Sequence, residues 1–195
     1  MNAKKTDAIR KALSSFYNIS PSDIPGEFLS KMVFRRYKKG EYLIRTGEIE
    51  RYFYFLIKGC ALCYYTVADD ERVVNIWDKV GTWISGMGSL QPMVTICDIL
   101  IEVESELAQI TIEDFRNISE SYPILSRKYI ETLYNENLVK CEEKMMLNQP
   151  NTYRYQWFLE HHPHGFETID HYKIASFLGM SPVTLSRIRN KNNGK

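Results

Sequence analysis

The amino-acid sequence predicts an α+β fold with a small antiparallel β barrel or sandwich between helical segments. Residues 38–110 consist of short runs rich in Tyr, Phe, Ile and Val, separated by glycines and an acidic turn, which is typical of antiparallel strands. No glycine or proline occurs between Pro123 and Pro150, which allows one long helix. After Asp170, apolar residues at helical spacing on both sides of Gly179 predict two short packed helices.

The composition is that of a folded protein of the cell interior. The chain has 195 residues, 44% hydrophobic and 25% charged, with a formal net charge of +1. No apolar run approaches the roughly 18 residues that a membrane helix needs, and the N-terminal residues lack the apolar core of a signal peptide. We therefore expect a cytoplasmic protein without a membrane partner, with reduced thiols at Cys60, Cys63, Cys97 and Cys141.

The charges are distributed unevenly along the chain. All 24 acidic residues lie at or before Asp170, together with 20 basic residues, whereas the residues after Asp170 include five basic ones and no acidic one. The near-zero total therefore combines a body of −4 with a C-terminal segment of +5. Such a segment is typical of a part that binds polyanions.

The N-terminal 34 residues predict short helices, one with Ile9, Leu13 and Phe16 on its apolar face and a second that begins at Ser20 with Pro21 in its first turn. Strands are then predicted at 42–44, 52–57, 61–67, 73–77, 96–103 and 107–110, and we expect the barrel interior to be rich in aromatic rings. Thr111 is placed to cap the next helix.

The long helix of about 25 residues that is predicted after Pro123 carries two apolar stripes. Leu125, Tyr129 and Leu133 form one, which we expect to cover the β domain. The other stripe consists of Ile130, Tyr134, Leu138, Cys141 and Met145. A second apolar seam is typical of a dimerisation helix, although packing twice within one chain would also bury it. The polar residues 148–151 predict a hinge after the helix.

Residues 171–190 have the pattern of a helix-turn-helix. Ala175 is small where two helices must approach closely, and Gly179 suits the left-handed end of the first helix. Ser181 can cap the second helix, with Pro182 in its first turn. The inner face then consists of Ile174, Leu178, Met180, Leu185 and Ile188.

The outward face of the second helix is suited to the major groove of DNA. We expect Arg187 to read guanine edges, and Pro182 and Val183 to contact thymine methyl groups. Ser186 also faces outward, and phosphate contacts are predicted for Ser181, Thr184, Arg189 and Lys191. An ordinary helical hairpin would share the apolar pattern, but the absence of acidic residues favours DNA binding.

The order of these parts resembles the Crp/Fnr family of bacterial transcription regulators. The segments 39–41, 45–48 and 54–59 are similar to that family's cyclic-nucleotide-binding β-roll, and residues 175–189 are similar to its recognition unit. The resemblance implies a β-roll sensor with N-terminal helices at 1–121, a dimerisation helix at 122–148 and a helix-turn-helix domain at 149–195. It further implies a homodimer, double-stranded DNA with a roughly palindromic operator and RNA polymerase as partners.

The sequence departs from that family at the nucleotide-binding cassette. Aligned from Gly81, it has Gly86 where the family has Glu, and residues 95–97 read Thr-Ile-Cys where the family has Arg-Ser-Ala. A buried phosphate without an arginine partner is too costly, which argues against cyclic AMP and favours an apolar or neutral effector. The predicted pocket consists of Ile84, Ser85, Gly86, Met87, Gly88, Leu90, Thr95, Ile96, Cys97, Lys140 and Cys141. A second departure is that residues 191–195 are too few for the family's β-hairpin wing.

Other motifs support rival interpretations. Cys60 and Cys63 have the spacing of a metal or redox pair, but side chains three positions apart in a strand point to opposite faces. His161, His162 and His164 could bind a metal or simply form a loop. We find no nucleophile elbow or phosphate-binding glycine loop, so we expect no enzyme. The remaining alternative is a ligand-binding or protein-interaction module whose helix-turn-helix no longer contacts DNA.

Overall fold

The fold is α+β, as the sequence predicts. The computed structural model describes residues 3–68, 70–86 and 90–193. Its helices are α1 Ala3–Tyr17, α2 Gly26–Lys31, α3 Ile112–Ser121, α4 Pro123–Leu147, α5 Asn151–His161, α6 Gly165–Thr168, α7 His171–Phe177 and α8 Pro182–Asn193. Its strands are β1 Val33–Tyr37, β2 Tyr42–Ile44, β3 Ile49–Glu50, β4 Tyr52–Val67, β5 Asp70–Trp77, β6 Trp83–Ile84, β7 Met93–Val94 and β8 Asp98–Thr111.

The strands form an antiparallel roll built on β4 and β8. One sheet has the order β1-β8-β4-β5, with β2 paired to β8 and β6 paired to β4, while β3 and β7 form a two-stranded ribbon. The β4–β8 pairing extends from Tyr52 opposite Thr111 to Tyr64 opposite Asp98. Because both strands also pair with further strands, they hold the whole roll together.

The sequence pattern predicts two strands, 52–57 and 61–67, where the structure has β4, and two strands, 96–103 and 107–110, where it has β8. This division is wrong. Gly59, which looked like a turn, has φ 112° and forms part of an irregular, bulged stretch of β4. A Cβ at Gly59 would overlap Ser105 of β8, so only glycine allows the two strands to approach. Ser105 Oγ is fully buried there and accepts a hydrogen bond from the Cys60 N–H at 3.1 Å.

The roll interior is mainly aliphatic, which corrects the expectation of an aromatic-rich interior. Tyr54 and Leu56 point into the roll, where they pack with Ile84, Ile99, Ile101 and Leu107. The alternate residues Phe53 and Phe55 point outward instead. They form an aromatic cluster with Phe28, Trp83, Phe115 and Tyr129, which holds α1 to α4 against the sheet.

Of the two helix caps predicted before α4, one is confirmed. Thr111 Oγ1 accepts a hydrogen bond from the Asp114 N–H at 2.9 Å at the start of α3. Ser20 caps no helix, because Pro21–Asp23 form only a 3₁₀ turn and Ser20 Oγ bonds to Ser22 Oγ. The following helix, α2, begins after Pro25.

Helix α4 has the predicted length and the predicted two faces. Leu125 and Tyr129 are buried against the roll, and Leu133 packs partly against the same cluster. The second stripe lies on the opposite face, where Ile130 is 65% exposed and Tyr134, Leu138, Cys141 and Met145 are also exposed. No helix in the described part of the chain is long and apolar enough to cross a membrane.

The C-terminal helical unit, α5–α8, packs directly on the outer face of β4 and β5. Residues of both parts share one apolar cluster that includes Leu62, Tyr64, Val73, Ile76, Phe158, Ile174 and Phe177. The Val73 N–H on β5 also donates to Ser176 Oγ on α7 at 3.1 Å. The predicted domain boundary at 148/149 lies between the end of α4 and the start of α5. The apolar cluster that α5–α8 share with β4 and β5 connects the two sides of this boundary.

A buried ion pair joins α7 to the roll. Lys173 Nζ lies 2.5 Å from Glu102 Oε2, and both side chains are buried. Lys39 and Asp170 extend the network, with Lys39 Nζ 3.6 Å from Glu102 Oε1 and Asp170 Oδ2 3.3 Å from Lys173 Nζ. Burial alone would lower the pKa of Lys173, but its hydrogen bond and attraction to Glu102 outweigh this and raise the pKa, so the ammonium is retained.

Replacing Lys173 by Met is expected to lower the free energy of unfolding by about 3 kcal/mol, because the Glu102 carboxylate loses its nearest cation while buried. Urea unfolding measures this change. The exposed Lys144→Met is the control, with an expected change below about 0.5 kcal/mol. The double variant Lys173→Met/Glu102→Gln should recover part of the lost free energy of unfolding. If Lys173→Met is as stable as the control variant, the stabilising role of this ion pair is contradicted.

Candidate nucleic-acid interface and effector cavity

The turn between α7 and α8 has the geometry that the sequence predicts. Gly179 has φ 61°, a left-handed conformation that favours glycine. Its N–H donates to Ser176 O at 3.1 Å, and the Met180 N–H donates to Ala175 O at 3.0 Å. These two bonds define a Schellman motif, which ends α7 and redirects the chain.

The start of α8 is capped as predicted. Ser181 Oγ accepts a hydrogen bond from the Thr184 N–H at 3.1 Å, and Pro182 occupies the first helical position. Ala175, Leu178 and Leu185 are buried between the helices. The two helices are thus held at a fixed angle by their apolar contact and by the turn.

The outward face of α8 presents most of the residues that sequence analysis selected. Val183 is 60% exposed, and Ser181, Pro182, Ser186, Arg187 and Lys191 are exposed, while Thr184 is half-buried. Arg189 differs, because its Nη1 lies 2.8 Å from His171 Nε2 and its guanidinium lies over the Phe166 ring. Arg189 therefore braces α8 against α6 and α7.

Arg154 of α5 is a positioning residue that the sequence did not reveal. Its Nη1 donates to the carbonyls of Leu178 and Gly179, both at 3.0 Å, and its Nε donates to Gln149 O at 2.8 Å. It therefore ties the helix-turn-helix turn to the break after α4. No sequence signal marked it, because its partners lie 24 and 25 residues away in the chain.

The cassette region of the roll is closed around an acidic side chain. Glu50 is 2% exposed, and its Oε1 accepts a hydrogen bond from the Gly86 N–H at 2.7 Å. A Cβ at Gly86 would lie 3.0 Å from Thr95 Oγ1 and 3.1 Å from Cys97 Sγ. A side chain at position 86 would therefore begin in close contact with Thr95 and Cys97.

Cys97 lies in a polar microenvironment within the roll. Its Sγ is 3.4 Å from Thr95 Oγ1 and it interacts with the Cys63 thiol. Hydrogen bonding from Cys63, supported by Thr95, outweighs burial and lowers the pKa of Cys97 to about 7. The hydrogen bond with Cys97 and burial both raise the pKa of Cys63.

The predicted pocket residues do not meet in one place. Ile84, Thr95 and Cys97 are buried in the roll, but Ile96 is 57% exposed and Leu90 is also exposed, so these two do not line its interior. Cys141 is exposed on α4, whereas Lys140 turns toward β5. Met87 and Gly88 lie outside the described residues.

A cavity of about 800 Å³ lies outside the roll interior, between α4, β5, α1 and α5. Ser85, Gly86 and Lys140 are the predicted pocket residues that reach it. Residues that sequence analysis did not select form most of its wall, including Tyr17, Trp77, Asp78, Glu136, Trp157 and His162. They are far apart in the chain, and only tertiary packing brings them together.

The charged groups at this cavity are mostly paired. Lys140 Nζ lies 2.6 Å from Glu143 Oε2 and 2.9 Å from Asn75 Oδ1. His162 Nδ1 lies 2.9 Å from Asp78 Oδ2, which joins α5 to the end of β5. Burial raises the pKa of Glu136 to about 6, although Lys140 partly opposes the shift.

The described parts of the chain contain no group of three or more His, Cys, Asp or Glu side chains that could hold a metal ion. Cys60 faces the C-terminal helical unit and Cys63 faces the roll interior, so the two thiols diverge. His161 stacks on Trp157 at 3.9 Å, and His162 is bonded to Asp78. His164 is exposed beside Glu167.

The chain is similar to known proteins in part of its sequence and in its fold. Residues 34–122 match the family model of the cyclic nucleotide-binding domain. The structure is similar to FixK2 from Bradyrhizobium japonicum (TM-score 0.73, 15% identity, 84% of this chain and 85% of that chain). It is also similar to the c-di-GMP-responsive global regulator CLP from Xanthomonas campestris (TM-score 0.70, 20% identity, 90% and 92%) and to the catabolite activator protein of Thermus thermophilus (TM-score 0.56, 17% identity, 90% and 84%). A sequence search of curated proteins finds no significant match.

Residues 34–122 are therefore similar to cyclic nucleotide-binding domains. The overall fold of the chain is the one that these solved structures share, as the sequence resemblance to the Crp/Fnr family predicts.

Removing the cap of α8 is expected to weaken the helix-turn-helix. Ser181→Ala loses the bond to the Thr184 N–H and should cost about 1 kcal/mol, or roughly 2–4 °C in thermal midpoint for a chain of this size. Ser186→Ala, exposed within the same helix, is the control and should not lower the midpoint because Ala is the better helix former. Equal midpoints for Ser181→Ala and the unaltered protein would contradict the capping role.

Proposed function

We propose that the protein is a cytoplasmic, sequence-specific DNA-binding transcription regulator that acts as a homodimer. The observation that carries this proposal is the outward face of α8, which presents Arg187 beside small polar and apolar side chains on a correctly formed helix-turn-helix. The segment that contains α7 and α8 has no acidic residue after Asp170. Such a surface suits a helix that enters the major groove and neutralises phosphates.

In this proposal the residues of α8 have separate roles. Arg187 reads guanine edges, since a guanidinium can bond both O6 and N7, and Val183 contacts thymine methyl groups. Ser181, Thr184 and Lys191 hold phosphates. Arg189 contributes charge near the backbone, but its main partners are His171 and Phe166, so its loss would also disturb the helix pair.

The proposed dimer interface is the exposed seam of α4, which consists of Ile130, Tyr134, Leu138, Cys141 and Met145. It lies opposite the buried face of the same helix, so a second copy could pack there without disturbing the roll. Burial of such a seam is favourable by the hydrophobic effect. A two-fold dimer would place two α8 helices on a roughly palindromic operator, with half-sites about 34 Å apart.

We further propose that any effector of this protein is not a cyclic nucleotide. At the cassette, the buried Glu50 carboxylate bonds to the Gly86 N–H, which a phosphate would otherwise approach. A phosphate there would meet a carboxylate in a medium of low dielectric constant, with no arginine at positions 95–97 to compensate.

Replacing Arg187 by Ala is expected to weaken binding to the specific operator by about 1–3 kcal/mol and to random DNA by much less. An operator selected by the protein from a randomised DNA pool provides the specific site, and fluorescence anisotropy at two salt concentrations measures affinity. Arg116→Ala, exposed on α3, is the control. Equal losses on both DNAs would remove the reader role, and binding without sequence preference or salt dependence would contradict the proposed function.

Introducing a charge into the seam is expected to produce a monomer. Leu138→Glu would place a carboxylate in the buried interface, whereas Asn135→Glu places the same side chain on another exposed face of α4 and should leave a dimer. Sedimentation velocity distinguishes the two states, and circular dichroism should show both variants folded because the core lies on the opposite face. A dimeric Leu138→Glu variant would show that the interface lies elsewhere.

A further inference from the structure

We propose that the cavity between α4, β5 and α5 binds a small organic cation, with the Glu136 carboxylate as its counter-ion. This proposal deepens the proposed function by naming a ligand class. An effect of the bound cation on operator affinity would depend on that proposed function, but the binding of the cation itself does not.

Glu136 is a half-buried carboxylate at the wall of the cavity. Across the ranges 3–68, 70–86 and 90–193, no hydrogen bond or ion pair reaches it, although it lines the cavity and is half-buried. Lys140 lies one helical turn further along α4, at the spacing that suits an ion pair with Glu136. Its ammonium group instead donates hydrogen bonds to Asn75, Val74 O and Glu143. Lys140 therefore makes its hydrogen bonds elsewhere and acts on Glu136 only by electrostatic attraction, and the Glu136 carboxylate lines the cavity.

The remaining charges at the cavity favour a cation over an anion. The lining includes four carboxylates and three lysines. Lys128 and Lys140 are paired with Glu131 and Glu143 at 2.6 Å each, and the third, Lys79, is exposed. The third carboxylate, Asp78, is bonded to His162 through Oδ2, while its buried Oδ1 has no hydrogen-bond partner. An anion could pair with the solvent-exposed Lys79 without displacing an existing pair, but a cation meets the half-buried carboxylate of Glu136.

Aromatic rings form much of the wall. Trp77 and Trp157 are buried at the cavity, and Tyr17 contributes a third ring. Ring faces attract ammonium and guanidinium groups, and a carboxylate adds charge-assisted hydrogen bonds. One face of Trp157 is already covered by the stacked His161 ring. Partial burial raises the pKa of Glu136, so the uncompensated carboxylate is unfavourable in the empty cavity and a bound cation would relieve this cost.

The cavity joins the sensor to the DNA-reading unit. Trp77 and Asp78 belong to the roll side, Glu136 to α4, and Trp157 to α5, which Arg154 links to the turn before α8. A ligand that contacts all three parts would favour one arrangement of α5 on β5 over others. If the arrangements differ in their affinity for DNA, a ligand that binds one of them better would change operator affinity.

The test uses the full-length protein and three probes of similar shape: phenethylammonium, neutral 2-phenylethanol and anionic 3-phenylpropionate. Isothermal titration calorimetry, without DNA, is expected to show saturable binding of phenethylammonium at least tenfold tighter than that of the alcohol, and none of the carboxylate. Glu136→Gln keeps the shape, removes the charge and should weaken cation binding at least tenfold. Its thermal midpoint should not fall, because it removes an unpaired charge.

Glu142→Gln, exposed on the same helix and outside the cavity, is the matched control and should bind phenethylammonium like the unaltered protein. The proposed site is overturned if the three probes bind equally, if phenethylammonium shows no saturable binding, or if Glu136→Gln binds it with unchanged affinity. The coupling is tested separately, as a shift in operator affinity when phenethylammonium saturates the protein. If operator affinity is unchanged, the proposed effect of the ligand on DNA binding is overturned. If the unaltered protein binds no DNA at all, only the proposed function is overturned.

Discussion

The pairing of β4 with β8 is the constraint on which the rest of the molecule depends. These strands share a ladder through which every other strand of the main sheet is attached. The contact of Gly59 with Ser105 lets that ladder bend without breaking, so that the two faces of β4 serve different layers. Inward residues fill the roll, and outward residues receive α1 to α4 at one end and α5 to α8 at the other.

The same ladder determines how the helix-turn-helix is held. Glu102 lies on β8 within the roll, and its ion pair with Lys173 of α7 is shielded from water. Since a buried charge is costly without its partner, this pair favours one docked arrangement of α7 over alternatives. The helix-turn-helix is therefore connected to the roll by a directional contact as well as by the short segment between α4 and α5.

The helix-turn-helix could be predicted residue by residue because its determinants are local. Gly179 and Ser181 satisfy backbone groups within a few positions of themselves, and Leu185 packs on a helix less than ten residues away. The length of α4 and its exposed stripe were predictable for the same reason, since both depend only on helical periodicity. The strand divisions at Gly59 and Ser105 failed because a bulge and a turn have the same local composition.

The sequence by itself determined the fold class, the long two-faced helix and the helix-turn-helix with its exposed Arg187, because these depend on local periodicity and capping. Only the tertiary structure decided which face of β4 each aromatic ring occupies, where Lys140 finds its partners, and that Glu136 lies beside a cavity walled by Trp77 and Trp157. Those contacts join residues tens of positions apart. Their geometry follows from the bend of the β4–β8 ladder and from the docking of α5, which no local pattern records.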